Sequence, residues 1–225
     1  SPQFFNGLAG YAVSRIKRCP WVLELRDLWP ESILTVSAIR NRRIIRFLER
    51  LEEFAYRKAD GIISVTESFV EHIKARGGRG KITVIRNGAD LKMFGNRSYD
   101  RDLARDLRLE AKFVGAYVGT HGMAHGLDTL IDAARKLTDR PDIAILMVGD
   151  GAEKRRLEAR VNELGLNNIV MLDQQPKEMM PRIWSICDIS LVLLRKSELF
   201  TKVIPSKIFE SMAMGKPIVL GVRGE

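Results

Sequence analysis

The sequence predicts a parallel α/β fold, and three observations carry that prediction. Short Val- and Ile-rich runs alternate with longer amphipathic stretches along the chain, the order that βαβ units impose. Most of the short runs are apolar at successive positions rather than at every second one, as strands covered on both faces are. The composition, 45% apolar and 29% charged over 225 residues, suits a chain that buries a core. At about 150 residues per domain, the length corresponds to roughly one and a half domains. The composition excludes a disordered tail. The two cysteines, Cys19 and Cys187, lie too far apart in sequence to read as a disulfide scaffold. No run approaches about 18 apolar residues, so no membrane-spanning helix is encoded.

In chain order, strands are predicted at Trp21–Leu25, Gly61–Val65, Ile82–Ile85, Phe113–Val118, Ile143–Val148, Ile169–Leu172, Ile189–Leu193 and Pro217–Leu220. Helical spacing falls at Ala38–Lys58, Glu67–Arg76, Leu127–Leu137, Glu153–Leu164, Glu178–Ile186 and Lys207–Met214. Asn87-Gly88 is a turn signal, and Asp150-Gly151 reads as a tight strand-to-helix turn. Gly165 before Leu166 reads as a helix-terminating glycine followed by its hydrophobic contact. The charged, strandless stretch Asp90–Arg108 reads as the crossing between two α/β units, divided near Phe94 into 1–93 and 94–225. The first unit then holds three strands, few for a doubly wound sheet. The chain begins at Ser1, shows no signal peptide over Ser1–Gly10, and stops five residues after its last strand. The expectation is a polypeptide cut at both ends.

Three constellations carry chemistry. Gly119-Thr-His-Gly-Met-Ala-His-Gly126 lies between a strand and a helix. Glycines there admit a ligand to the backbone, and the helix start offers free N–H groups to a phosphate. Its spacing is not the dinucleotide fingerprint, and an ordinary small-residue loop is the other reading. In Pro205–Val219, Ser206 is placed as an N-cap, and Ile208, Phe209, Met212 and Ala213 give an apolar face. Lys207 stands at the helix start, where a cation opposes the helix dipole and so points to an anionic partner; solvent exposure is the alternative. Glu210, one turn on, is placed to bind ribose hydroxyls. The third is Leu25-Arg-Asp-Leu-Trp-Pro-Glu31 at a strand end, where α/β sheets bind ligands. Arg26 and Asp27 are there either a site or a local ion pair.

Other signals are weaker. Gly80-Lys-Ile-Thr83 lacks the upstream glycine of a P-loop. His72, His121 and His125 do not make a metal set, and His72 reads as a surface helix residue. No Ser/His/Asp or Cys/His arrangement is legible. The net charge of +9 is concentrated at Arg40–Lys58, where Arg40, Arg42, Arg43, Arg46, Arg50, Arg57 and Lys58 interleave with apolar residues at helical spacing. Such a helix suits an anionic membrane surface or a sheet-covering role with a solvated face. No nucleic-acid module accompanies the charge.

Taken in order, five segments resemble the GT-B glycosyltransferases of family 4. They are Arg26-Asp-Leu-Trp-Pro-Glu-Ser32, Val84-Ile-Arg-Asn-Gly-Ala-Asp90, Tyr117-Val-Gly-Thr120, Val148-Gly-Asp-Gly151 and Val203-Ile-Pro-Ser-Lys-Ile-Phe-Glu-Ser-Met-Ala-Met-Gly-Lys-Pro217. The similarity is to the bacterial subgroup that builds O-antigen, capsule and colanic-acid-type polysaccharides, and it covers essentially the whole chain. It implies two Rossmann-like parallel-sheet domains facing a cleft, both incomplete: 1–93 as the C-terminal half of the acceptor domain and 94–225 as most of the nucleotide-sugar donor domain. The family's N-terminal glycine-rich loop and closing helices are not in this sequence.

The resemblance also implies roles. Arg26, Asp27 and Lys207 are the expected catalytic residues. Gly119, Thr120, His121, Gly122, His125, Ser206, Lys207 and Glu210 are expected to hold the donor. Glu210 matches the second glutamate of the family's E-x7-E motif, but Lys202 stands where the first would be. Thr120 and His125 stand where many members carry Arg and Lys, and Arg26-Asp27 replaces a His-Asp pair. The activity implied is transfer of a sugar, with retention, from a nucleotide diphosphate sugar to a glycan or lipid-linked acceptor, without metal or other cofactor and without nucleic acid. The location implied is cytoplasmic, peripheral at the inner membrane face. A GT-B-fold sugar-nucleotide epimerase and a non-catalytic nucleotide-binding piece remain the competing readings.

Overall fold

The computed structural model describes residues 4–35, 41–95 and 97–225. The chain forms two compact units. One comprises Ser1–Asn87 with Ser197–Ile204 and Arg223–Glu225; the other comprises Gly88–Lys196 with Pro205–Val222. The eight predicted strands all form, with ends within a residue of those expected.

The first unit is built on a parallel sheet ordered β1 (Val22–Leu25), β2 (Gly61–Ser64) and β3 (Lys81–Val84). The register places Leu23 beside Ile62 and Ile62 beside Ile82. Among the described residues, α1 (Phe4–Lys17), α2 (Glu31–Thr35), α3 (Arg42–Lys58) and α4 (Ser68–Ala75) belong to it. Neither α1 nor α2 was expected. Gly7 and Gly10 lower the helix propensity of α1, yet they let it lie close: a Cβ at either would sit 3.1 Å from Leu23 or Trp21. α3 starts at Asn41, whose side-chain oxygen accepts from the Arg43 N–H at 2.9 Å; the expected start at Ala38, and Arg40, lie outside the described residues. Leu48, Ala55 and Tyr56 of α3 and Phe69 and Ile73 of α4 are buried with Leu23, Leu28 and Ile62.

His72 corrects the sequence reading. It is not a surface residue: its side chain is 10% exposed and bonds through Nε2 to Glu52 Oε1 at 2.8 Å. Tyr56 donates to the same oxygen at 2.8 Å, and Arg76 lies 3.1 Å from Glu52 Oε2. Glu52 is itself buried, and only these partners make a carboxylate tolerable there. A partner twenty residues away in sequence leaves no trace in helical spacing.

The second unit carries five parallel strands ordered β6 (Ile169–Leu172), β5 (Ile143–Val148), β4 (Phe113–Val118), β7 (Ile189–Leu193) and β8 (Ile218–Gly221). This is the 3-2-1-4-5 order of a doubly wound sheet. Successive residues of β4 and β5 belong to different cores. Val114, Ala116, Val118, Leu146 and Val148 pack with Ile183 and Trp184 of α8 (Met180–Ser185), and with Met214 just after α9 (Lys207–Ala213). Tyr117, Ile145 and Met147 pack with Leu130, Ile131, Leu157 and Val161 of α6 (Asp128–Lys136) and α7 (Lys154–Glu163). That two-sided burial is why the runs read as continuously apolar.

Local chemistry fixes the boundaries. α5 (Arg101–Asp106) was hidden in the charged crossing; Asp100 caps it by accepting from the Leu103 N–H at 3.0 Å. The expected helix at Glu178–Ile186 is a 3₁₀ turn, Lys177–Met179, followed by α8, with Pro181 in its first turn. Gly165 takes φ +61° after α7 and Leu166 behind it is buried, as its spacing predicted. Asn87-Gly88 forms no turn; the chain passes there from one unit to the other.

Candidate functional site

In the second unit the chain runs outward through β4, β5 and β6, then returns to β7 and β8. The reversal lies between β4 and β7, and a crevice opens beyond the carboxyl ends of such a pair. The loop Gly119–Gly126 leaves β4 at that point. It is fastened to β7 by the Arg195 N–H, which donates to Ala124 O at 2.8 Å.

The loop after β5 is the mould for this one. Gly149 has φ +144°, and a Cβ there would lie 2.0 Å from Gly119 O, so only glycine permits the crossing. The His121 N–H donates to Asp150 O at 2.8 Å, and the Glu153 N–H donates to His121 O at 2.9 Å. Lys154, buried at the start of α7, donates to Gly149 O at 3.2 Å and pairs with Asp173. The sequence reading missed Lys154 and Tyr117; the segment Val148-Gly-Asp-Gly151 was the signal available for the first.

Lys207 enters the site from α9. Lys207 and Ser211 share the inward face of that short helix, with Met214 just beyond its end. Ser211 is buried, with Oγ 2.7 Å from Ser190 Oγ and 2.8 Å from Lys207 O. Met212, expected in the apolar face, is 64% exposed instead: the small serine lets α9 approach the sheet and Met212 falls on the opposite side. Ser206 occupies the N-cap position, but its hydroxyl makes no capping bond. The inward turn carries the Lys207 Nζ to 3.8 Å from the centroid of the Tyr117 ring, a cation–π distance. A Cβ on Gly119 would lie 2.9 Å from that nitrogen, so the glycine makes room for it. Solvent exposure of Lys207 is thereby overturned.

The electrostatics of this cluster are unusual. Lys207 Nζ and both ring nitrogens of His121 are buried with no hydrogen-bond partner, and His121 is 0% exposed. Burial lowers Lys207 to about 7, against the opposing pull of Glu210. Burial lowers His121 to about 4, with Lys154 and Lys207 adding and Asp150 opposing. His125 is lowered to about 4 by burial and by Lys207, and its Nδ1 lies 3.4 Å from Leu193 O. Tyr117 donates to Thr120 O at 2.7 Å, and burial pushes its hydroxyl well above the usual range. Burial raises the Glu210 carboxyl, against Lys177 and Lys207. The fold therefore brings together Gly119, Thr120, His121, Gly122, His125, Lys207 and Glu210, with the Lys207 and His121 side-chain nitrogens unbonded among the described residues.

Arg26 and Asp27 lie in the first unit at the carboxyl end of β1. Arg26 is exposed and donates through Nε to Glu24 Oε1 at 2.8 Å, so its local ion pair is with Glu24 rather than Asp27. Burial raises the Asp27 carboxyl, and Arg26 opposes this. Asp27 lines a cavity of about 30 Å³ with Phe4, Trp29, Leu23 and Tyr56, room for a water. Lys202 closes the 3₁₀ turn Leu199–Lys202 of this unit. On the outer side of α3, exposed Ile44, Phe47 and Phe54 make a stripe beside exposed Arg43, Arg46, Arg50 and Arg57, while its other side covers the core. Among the described residues, no group of three or more His, Cys, Asp or Glu could hold a metal ion, and no helix is long and apolar enough to cross a membrane.

A five-stranded doubly wound unit and a second parallel α/β unit in one chain define the class of proteins with GT-B architecture. The chain belongs to the glycosyl transferases group 1 family, which matches residues 100–224; residues 1–88 match a glycosyl transferase 4-like domain. It is 31% identical over 94 residues to the putative colanic acid biosynthesis glycosyl transferase WcaI of Escherichia coli K12, a match over 42% of this chain and 23% of that protein. The crystal structure of Anabaena Alr3699/HepE in complex with UDP and glucose superimposes with a TM-score of 0.76 at 25% identity, covering 99% of this chain and 58% of that one. Sucrose-phosphate synthase from Thermosynechococcus elongatus shares the fold at a TM-score of 0.73 and 23% identity, over 98% of this chain and 55% of that one. The chain thus spans little more than half the length of these solved relatives.

Proposed function

We propose that this chain carries the donor half and part of the acceptor half of a retaining glycosyltransferase that uses a nucleotide diphosphate sugar. The observation that carries this reading is the buried, unpartnered Lys207 ammonium set against the Gly119 backbone at the switch point of the second unit. A diphosphate supplies the oxygens that Lys207 and His121 lack. The Thr120 and Gly122 N–H groups of the loop add donors, those of Gly119 and His121 being bonded to Val148 O and Asp150 O. Glu210, half-buried one turn into α9, accepts from ribose hydroxyls. His125, neutral where many family members carry lysine, shapes the loop rather than charging it, so the departing diphosphate is balanced mainly by Lys207 and backbone dipoles, without a divalent metal. Thr120 and Ser206 are exposed and serve at the rim. In the first unit, Asp27 and Arg26 stand at a strand end, where the acceptor is received.

The acceptor we propose is a lipid-linked glycan of bacterial surface polysaccharide synthesis, met at the inner face of the membrane. The resemblance to the polysaccharide-building subgroup supports it, as does the α3 surface, where an apolar stripe flanks an arginine stripe. Binding to anionic vesicles that falls with salt is expected; binding indifferent to both salt and lipid charge removes that support.

Titration of the chain with UDP and GDP tests the donor site. Binding of one of them is expected, weakened at least about tenfold by Lys207→Ala and less by Glu210→Gln, as charge-assisted bonds of about 1.5–3 kcal/mol imply. A folded chain that binds neither nucleotide, or variants with unchanged affinity, would refute the assignment. Consumption of a nucleotide sugar without acceptor by the full-length enzyme would instead indicate an epimerase.

A further inference from the structure

Among the described residues of the second unit, Lys154 and Lys207 bury their side-chain nitrogens, and they differ in one respect. Lys154 has Gly149 O and the Asp173 carboxylate as acceptors. Lys207 has none. Its surroundings provide no fixed counter-charge. Tyr117 faces it from β4 with a hydroxyl already spent on Thr120 O. His121 and His125 face it from the loop, and each is held neutral by burial and by the lysines themselves. Glu210, on its own helix, is the acid that acts on it among the described residues, and burial draws it toward its neutral form. Beyond His121 lie Lys154 and Asp150, a cation and an anion that offset one another there. A desolvated ammonium without an acceptor sheds its proton more readily than an exposed one. An anion in the same pocket reverses that preference.

On the donor-site reading above, we infer that the pocket takes up a proton together with its anion: Lys207 is largely an amine in the empty site at mildly alkaline pH and an ammonium once a diphosphate is bound. Nucleotide binding and protonation of Lys207 are then linked, and each favours the other. Two consequences follow. Affinity rises as pH falls, by about tenfold per pH unit above the point where the free Lys207 titrates, and levels off below it. The site also admits neutral molecules without first desolvating a permanent cation, so its selectivity for anions is strongest at the acid end of its range.

Calorimetry on the 225-residue chain with UDP and with GDP tests this. At pH 8 the terminal phosphate of either nucleotide, with its second ionisation near about 6, is itself fully ionised. Titrations in HEPES and in Tris, whose ionisation heats differ and neither of which is a phosphate, give the number of protons taken up. With Lys207 titrating at about 7 in the empty site, uptake of about 0.9 proton is expected at pH 8. Lys207→Met should bind more weakly, with uptake near zero and affinity flat with pH. Binding by the natural chain with no proton uptake overturns the linkage and leaves the donor site standing. Uptake retained in Lys207→Met overturns the assignment to Lys207. Absence of nucleotide binding even at pH 6.5 overturns the donor-site reading and the linkage together. Should Lys207→Met bind too weakly to measure, the pH dependence of the natural chain decides: a tenfold change per unit supports the linkage, and a flat profile overturns it.

Discussion

Glu52 in the first unit and Lys207 in the second are buried in opposite ways. In the first, Glu52 is buried with Oε1 bonded to Tyr56 and His72, and Oε2 held by the Arg76 ion pair alone. In the second, His121 and Lys207 are buried with nothing to bond. His72 and His121 show the contrast most plainly: the same side chain, both withdrawn from water, one tied to a carboxylate and the other to nothing. A satisfied buried network stabilises and specifies its fold, whereas an unsatisfied one costs stability and persists for a ligand. The Glu52 cluster therefore ties helices of the three-stranded unit together, and the five-stranded unit, with apolar cores on both faces of its sheet, tolerates the unbonded nitrogens of Lys207 and His121.

The largest effect expected from this contrast is a pH dependence of stability. Lys207 titrates lower in the folded unit, at about 7, than in the unfolded chain, at 10.5. The unfolded state therefore binds more protons between those values, so stability is full above the unfolded value, falls as pH drops through that window, and is level below about 7. The slope is at most about 1.4 kcal/mol per pH unit. Hydrogen exchange of β4 and β7 amides between pH 7 and 10 should show the natural chain gaining protection relative to Lys207→Met; parallel profiles would break the comparison. Next is Glu52→Leu, which strips the acceptor from Tyr56 and His72 and should cost the first unit about 2 kcal/mol in denaturant unfolding. A neutral result would mean that the cluster is dispensable. The smallest effect is assigned to His121→Phe, which removes two unbonded nitrogens and fills the same space: a change within about 0.5 kcal/mol, while UDP affinity falls. A loss above about 1 kcal/mol would show that the imidazole has a structural partner.

Much of this was legible beforehand for a physical reason. Phe113–Val118 and Ile143–Val148 read as strands to the residue because burial on both faces writes an unbroken apolar run. Gly165 read as a helix end because φ +61° strongly favours a glycine. The helix α1 was not legible, since the glycines that let it pack also weaken its local signal. Met212 was misplaced because helical spacing alone gives a face but not which way it turns; the close approach of Ser211 to Ser190 decided that. His72 failed similarly, its partner lying on another helix.

What the sequence determined by itself was the succession of strands and helices, the glycine loop after β4 and the ordered motifs that mark the family. These are properties of neighbours along the chain: period, cap and backbone conformation. The tertiary structure alone decided that Lys207 is buried rather than solvated, that His121 has no partner while His72 has one, and that Gly149 shapes the loop at Gly119. Those depend on desolvation and on contacts between strand ends tens of residues apart, and no local pattern records the distance from an ammonium to the nearest oxygen.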